Sequence, residues 1–300
     1  MPSSLTLPLS HTHTARRSIL LMMGASALFA ANDATVKFAS QSIAGPQLIF
    51  LRSVFASVLF LALIWQQGLL HRLRDAARPR LMVRGAADAF GTTMYLLSLF
   101  HLPIANATAI NLAAPMFMTL CAVLFLRERA GAARWLAVVL GFAGVLMVVQ
   151  PAGSGFNAWA LLCVAGTLLH AVRDLLTRGI GAGIPSMVVA LSSTLALGVL
   201  GGAMTLWQGW QPVPPWSLAL VALAAVFLAS AYMLLIASLR LGEISLVAPF
   251  RYTALLFAVS FGYVLWGQWP NGWAWAGIAL LVGSGVYAAH RERGRMATVE

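Results

Sequence analysis

Charge is what this sequence has least of. Only 9% of its 300 residues are Asp, Glu, Lys or Arg, while 60% are hydrophobic; soluble domains carry about 25% charged residues. A soluble chain of this length would bury a large core but would still need a polar skin, which this one cannot supply. Lysine is nearly absent: of the nineteen basic residues all but Lys37 are arginine. The net charge of +11 does not point to nucleic acid. The arginines sit in short gaps between apolar runs, with no long basic tail and no soluble domain to present a groove. Cysteine is scarce as well. Cys121 and Cys163 both lie inside apolar runs, which excludes a zinc spacing or a disulfide framework. There is no P-loop, H-E-x-x-H or G-x-S-x-G, which argues against ATP-driven work by this chain and against the common membrane hydrolases. Neither a metal nor a cofactor is expected.

What is present is a succession of long hydrophobic runs. They predict an all-α polytopic membrane protein of ten transmembrane helices, at 18–39, 46–66, 81–100, 105–126, 133–150, 157–177, 185–206, 216–238, 245–266 and 272–290. Strands of a barrel would alternate in period two, and these runs are apolar all round. The start, "ARRSILLMMGASALFAAND", has the make-up of a signal peptide. Asp33 and Lys37 follow it directly, and a second copy of this helix occurs later, so it reads as a first membrane span. Arginines cluster at one set of helix ends, from Arg16 and Arg17 through Arg72, Arg74, Arg78, Arg80, Arg127, Arg178 and Arg240 to Arg291, Arg293 and Arg295. Trp159, Trp207, Trp210, Trp216, Trp266, Trp269, Trp273 and Trp275 gather at the other. The positive-inside rule and the aromatic belt then place both termini in the cytoplasm, with the chain in the cell inner membrane.

The runs repeat. "NDATVK" at 32–37 and "RDLLTR" at 173–178 each end an apolar helix, each with Asp four residues before a cation. Landmarks recur at a shift of about 140 residues, among them "FHLPIANATAINLAAP" from Phe100 against "LRLGEISLVAPFRYTA" from Leu239. Two five-helix units result, 18–150 and 157–290, flanked by cytoplasmic segments 1–17 and 291–300. Five is odd, so the second unit enters the membrane from the opposite side. Such inverted repeats support alternating access, since the halves can exchange conformations around a central site.

The segment "SLVAPFRYTALLFAVSFGYVLWGQWPNGWAWAGIALLVGSGVY" (245–287) resembles the terminal helices of the drug/metabolite transporter superfamily, EamA family. "LAAPMFMTLCAVLFLRERAGAARWLAVVLGFAGV" (112–145) is similar to the matching half-motif, although Gln268 stands where the first unit has Glu128. The resemblance implies a central cavity lined by helices 1, 3, 4, 6, 8 and 9. It also implies export of small organic solutes, most like amino acids (aromatic ones included) and related metabolites, with no enzymatic activity. Export of drugs, an intramembrane enzyme and a sensor are the alternatives.

Charged residues inside spans are costly and mark function or structural pairing. Asp33 and Lys37, beside Asn32, have the favourable i, i+4 order, and Arg52 lies at matching depth on the second helix. They form either an outer gate or a lock between helices. Arg173, Asp174, Asp88 and Arg251 lie nearer the other face, as an inner gate or as ordinary ion pairs. Asp33, Asp88 and His170 are the candidates for proton coupling. Tyr95, Asn111, Tyr232 and Tyr252 suit hydrogen bonding to a zwitterion, and Pro115 and Pro249 free backbone carbonyls in the fourth and ninth helices. Gly141 and Gly144, with Gly277, Gly283 and Gly285, suit close helix contact, either within the chain or across a homodimer of the fifth and tenth helices. "NAT" at 106–108 fits a glycosylation acceptor but lies too close to a span. If Asp33 belongs to a gate, Asp33→Asn impairs flux while the protein still folds and inserts. Normal flux by an inserted Asp33→Asn protein would remove Asp33 from the gate.

Overall fold

The computed structural model describes residues 9–127, 131–150, 157–180, 183–242 and 244–296. Glu128 and Arg129, most of the turn at 150–155 and the chain ends lie outside the described residues. All regular structure among the described residues is helical: α1 (Leu9–Ala39), α2 (Gly45–Gln66), α3 (Pro79–His101), α4 (Ile104–Asn111), α5 (Ala114–Leu126), α6 (Ala132–Val149), α7 (Trp159–Arg178), α8 (Ser186–Gln208), α9 (Pro215–Leu241), α10 (Ile244–Val247), α11 (Thr253–Trp266) and α12 (Gly272–Met296). Seven of the described stretches are long and apolar enough to cross a membrane, counting α4 with α5 and residues 248–266 as one stretch each; α6 and α12 contribute shorter apolar segments.

Three features depart from the expected spans. α1 starts at Leu9 rather than at residue 18, and a 3-10 helix, Leu70–Ala77, occupies the connection before α3. The expected fourth and ninth helices are broken. Leu112 and Ala113 form a turn between α4 and α5, and a 3-10 stretch, Ala248–Tyr252, joins α10 to α11. Proline is the physical reason in both. Pro115 and Pro249 have no N–H to give to the carbonyls of residues 111 and 245, so the α-helical ladder fails at that turn.

Helix pairing organises the bundle. α1 packs along α9, α3 along α7, α2 along α8 and α6 along α12. Each pair is antiparallel. Ser18 meets Ser238 at one end of α1 and Ser42 meets Ser217 at the other; Arg84 meets Thr177 and Asp88 meets Arg173 along α3 and α7. α1 and α3 run parallel, because Asp33 meets Tyr95 while Lys37 meets Leu99. α7 therefore runs opposite to α1. One end of the bundle is knitted by arginine: Arg72 donates to the Gly183 carbonyl and Arg80 to that of Gly179. Here Asp75, in the 3-10 helix, takes a hydrogen bond from Arg72 and an ion pair from Arg78, and the Arg72 hydrogen bond foremost holds its carboxyl below the usual range. At the opposite end Trp210 packs edge-on against Phe50 and Trp159 stacks on His101.

The outer surface is apolar. Leu206, Val199, Val264 and Phe125 are all more than 70% exposed, which lipid tolerates and water does not. The chain is a multi-pass membrane protein.

Two glycine pairs set the closest backbone approaches between helices, a common device in lipid. A Cβ on Gly277 would stand 2.6 Å from the Gly144 carbonyl oxygen, and one on Gly166 2.8 Å from that of Gly91. Gly277→Val is thus expected to force α6 and α12 apart at a cost of about 1–3 kcal/mol, read as a lower melting temperature of the purified protein. Gly283, where an added Cβ meets nothing within 4 Å, serves as the control position.

Candidate functional site

α3 carries the polar groups of the interior along one edge. Arg84, Asp88, Thr92, Tyr95 and the carbonyls of Leu99 and Leu102 recur every three or four residues, the spacing that places them on one helical face. From 84 to 102 this edge covers about 27 Å at the α-helical rise, close to the thickness of a bilayer's hydrocarbon core.

Near the arginine end, Arg173 Nη1 lies 2.7 Å from Asp88 Oδ1, and Arg84 Nη1 lies 3.9 Å from Asp88 Oδ2. Arg173 also grips Asp174 at 2.8 Å. The close approach of α3 and α7 at Gly91 and Gly166 brings these groups within reach. One turn further on, His170 Nδ1 is 2.8 Å from Asn111 Oδ1, and its Nε2 is 3.3 Å from Thr92 Oγ1. Asn111 closes α4 just before the Pro115 break, so the break is what presents its side chain to α7. At mid-height Tyr95 donates to Asp33 Oδ2 at 2.6 Å. Asn32 donates to Asp33 Oδ1 at 2.9 Å and accepts from Arg52 Nη1 at 3.3 Å. Arg52, 5% exposed, thus reaches Asp33 through a carboxamide, and its buried Nε has no partner.

Lys37 does not pair with Asp33. Its ammonium donates to the carbonyls of Leu99, at 2.7 Å, and Leu102, and faces the Trp266 ring 5.7 Å from its centroid. The last carbonyls of α3 have no intrahelical donor and carry the negative end of its dipole, so a buried cation is better satisfied there than beside a carboxylate that Tyr95 and Asn32 already hold. Arg251 stands apart from both groups. It is exposed and makes no ion pair among the described residues. Tyr252 packs its hydroxyl end against Gly285 of α12. Tyr232 sits edge-on to both Phe29 and Phe60.

The structure therefore joins Asn32, Asp33, Arg52 and Tyr95 in one cluster, and Asp88, Arg173 and Asp174 in another, with His170 and Asn111 between them. Thr92 and the two α3 carbonyls complete the edge and were not expected. The three-to-four spacing after Arg84 was their only signal. A cavity of about 280 Å³ lies elsewhere, at the tryptophan-rich end between α4, α6, α7, α11 and α12. None of the expected site residues lines it.

An apolar-surfaced helical bundle with a buried ladder of charge along its length is the build of a membrane transporter. The EamA-like transporter family model matches residues 16–150 and again 157–288, and the chain belongs to that family. It is 30% identical over 216 residues to a riboflavin transporter of Rhizobium johnstonii, covering 72% of each chain. To a pseudopaline exporter of Pseudomonas aeruginosa it is 25% identical, over 93% of this chain and 98% of the relative. To an S-adenosylmethionine uptake transporter of Rickettsia conorii it is 23% identical, over 89% and 90%. One crystal structure of a protein given no further description superposes with a TM-score of 0.61 at 22% identity, over 95% of this chain and 98% of its own; that likeness bears on the fold alone. These relatives are named as transporters, not enzymes.

Removing one partner of a buried ion pair costs about 3–5 kcal/mol, because the other charge is left alone. Arg173→Ala is expected to lower the melting temperature accordingly, and Asp88→Ala in the same chain to restore part of it, since Asp174 and Arg84 then also lose an ion-pair partner. A double variant no more stable than the single one would show that the pair does not act as a unit.

Proposed function

We propose that the chain is an inner-membrane exporter of small organic metabolites, aromatic amino acids among them, working by alternating access between two inverted five-helix units at 18–150 and 157–290, with both termini in the cytoplasm. The observation that carries this reading is the exchange pattern of the helix contacts. Swapping the first unit (α1, α2, α3, α4 with α5, α6) for the second (α7, α8, α9, α10 with α11, α12) turns the α1–α9 contact into the α7–α3 contact. It leaves α2–α8 and α6–α12 unchanged. A bundle of this kind can trade the conformations of its halves and so open to either face. The two polar clusters on α3 then act as the two gates, with Asp33, Tyr95, Asn32 and Arg52 toward the tryptophan end and Asp88, Arg173 and Asp174 toward the arginine end. Lys37 latches α1 to the end of α3. A homodimer through α6 and α12 would use the open face at Gly283, since Gly144 and Gly277 are committed within the chain. The relatives named as riboflavin transporters favour a second substrate class, planar heterocycles.

Proteoliposomes loaded with radiolabelled tryptophan, phenylalanine or riboflavin provide the test, with a pH gradient imposed and then collapsed. Saturable efflux of the amino acids is expected, and loss of that efflux on collapse identifies proton coupling. Riboflavin flux without amino-acid flux moves the substrate to the second class. Absence of saturable flux for all three overturns the transport reading.

A further inference from the structure

Of the charged groups in the ladder, Arg52 has the weakest partner. It is buried and makes no ion pair among the described residues. Its one hydrogen bond there runs from Nη1 to the neutral Asn32 carboxamide at 3.3 Å, longer than the roughly 2.7–2.9 Å of a guanidinium on a carboxylate. A buried guanidinium calls for a counter-charge in contact with it. Asp33 would supply one, yet Asn32 stands between them. Its Oδ1 accepts from Arg52, and its Nδ2 donates to Asp33 Oδ1 at 2.9 Å. An oxygen that accepts from a guanidinium and a nitrogen that donates to a carboxylate are also the two ends of an α-amino acid. In the carboxamide both atoms hang on one carbon; in the amino acid they hang on adjacent carbons, one bond further apart. The neutral carboxamide thus occupies, in the same polarity, the place of a zwitterion whose charges would each meet the opposite charge. Asp33 has room for a further donor. Tyr95 and Asn32 take one bond at each oxygen, whereas an ionised carboxylate offers about four acceptor sites. Asp33 also keeps accessible surface, although Asn32 and Tyr95 beside it are buried. One turn back along α1, Phe29 meets Tyr232 edge-on at 5.4 Å. Both rings keep accessible surface, which offers an aromatic face to a guest's side chain.

We propose that the gap between Arg52 and Asp33 binds the zwitterionic end of an α-amino acid, its carboxylate taking the Arg52 donor and its ammonium the Asp33 acceptor once the Asn32 carboxamide has turned aside. Asn32 is then an internal stand-in that satisfies both charges when no guest is bound. Rotation about its own side-chain bonds moves it out of the gap without moving α1. The inverted copy has no such gap, because Arg173 holds Asp88 and Asp174 directly. The proposal rests on the transport reading and deepens it, narrowing the solute to one that carries both charges on neighbouring carbons. Binding is measurable without flux.

Each charged end can be deleted from the probe as well as from the protein. Tritiated phenylalanine titrated onto the purified full-length protein in nanodiscs is expected to bind saturably. Phenethylamine, which lacks the carboxylate, and phenylpropionate, which lacks the ammonium, are each expected to displace it at least about tenfold less well, since each loses a hydrogen bond to a charged group. Arg52→Gln should weaken phenylalanine about tenfold yet leave phenethylamine as it was, and Asp33→Asn should weaken phenylalanine similarly yet spare phenylpropionate. Asn32→Ala should bind phenylalanine at least as tightly as the parent, there being no carboxamide to displace. The proposal is overturned if no phenylalanine binds, if either analogue matches phenylalanine on the parent, or if Asn32→Ala binds more weakly. A variant at Arg52 or Asp33 that weakens all three ligands alike would show a structural role and overturn it too. The ranking of the three probes on the parent needs no variant, so the test holds even where a variant fails to fold. Riboflavin flux by a protein that binds no phenylalanine would remove this site and leave the transport reading standing.

Discussion

A guanidinium or carboxylate in hydrocarbon has no water to turn to, so each must find its counterpart inside the protein. α3 is where that requirement is met. α7 delivers Arg173 and His170 to it, α1 delivers Asp33 and Lys37, and α2 reaches it from Arg52 through Asn32. The glycine contact between α3 and α7 follows from the same need. Arg173 cannot reach Asp88 at 2.7 Å unless the two helices lie close together, and a Cβ on either Gly91 or Gly166 would hold them apart.

The two matched halves share their contacts but not their chemistry. In the first half the cation four residues after the aspartate, Lys37, turns away to cap the end of α3. In the second, Asp174 takes its partner from the residue just before it, Arg173, which at the same time serves Asp88. The matched helices thus carry a latch in one case, at Lys37, and a bridge in the other, at Arg173. What decides between them is which acceptors the neighbouring helix presents at that height.

Much of this was legible in the chain. Long apolar runs announce spans because lipid admits little else, and Pro115 and Pro249 mark the two breaks because a missing N–H has no remedy within a helix. Asp33, Arg52, Asp88 and Arg173 stand out because charge is rare in such runs. The partners of Lys37 could not be read, because they are backbone carbonyls, which every residue possesses and no sequence pattern marks. Arg251 was a candidate by depth alone, and its exposure depends on three-dimensional packing.

α1 is fastened to α9 at both ends and in the middle: Ser238 to the Ser18 carbonyl, Tyr232 edge-on to Phe29, and Ser42 to Ser217. The pair behaves as a single beam, with little room to slide or splay. α3 and α7 make a second beam, joined by ion pairs and by the glycine contact. Between the beams the direct polar ties among the described residues are few: Tyr95 to Asp33, and Lys37 to two carbonyls. Any widening of the bundle therefore separates along that line, where a few exchangeable hydrogen bonds part, rather than within a beam, where tightly meshed side chains would have to come apart.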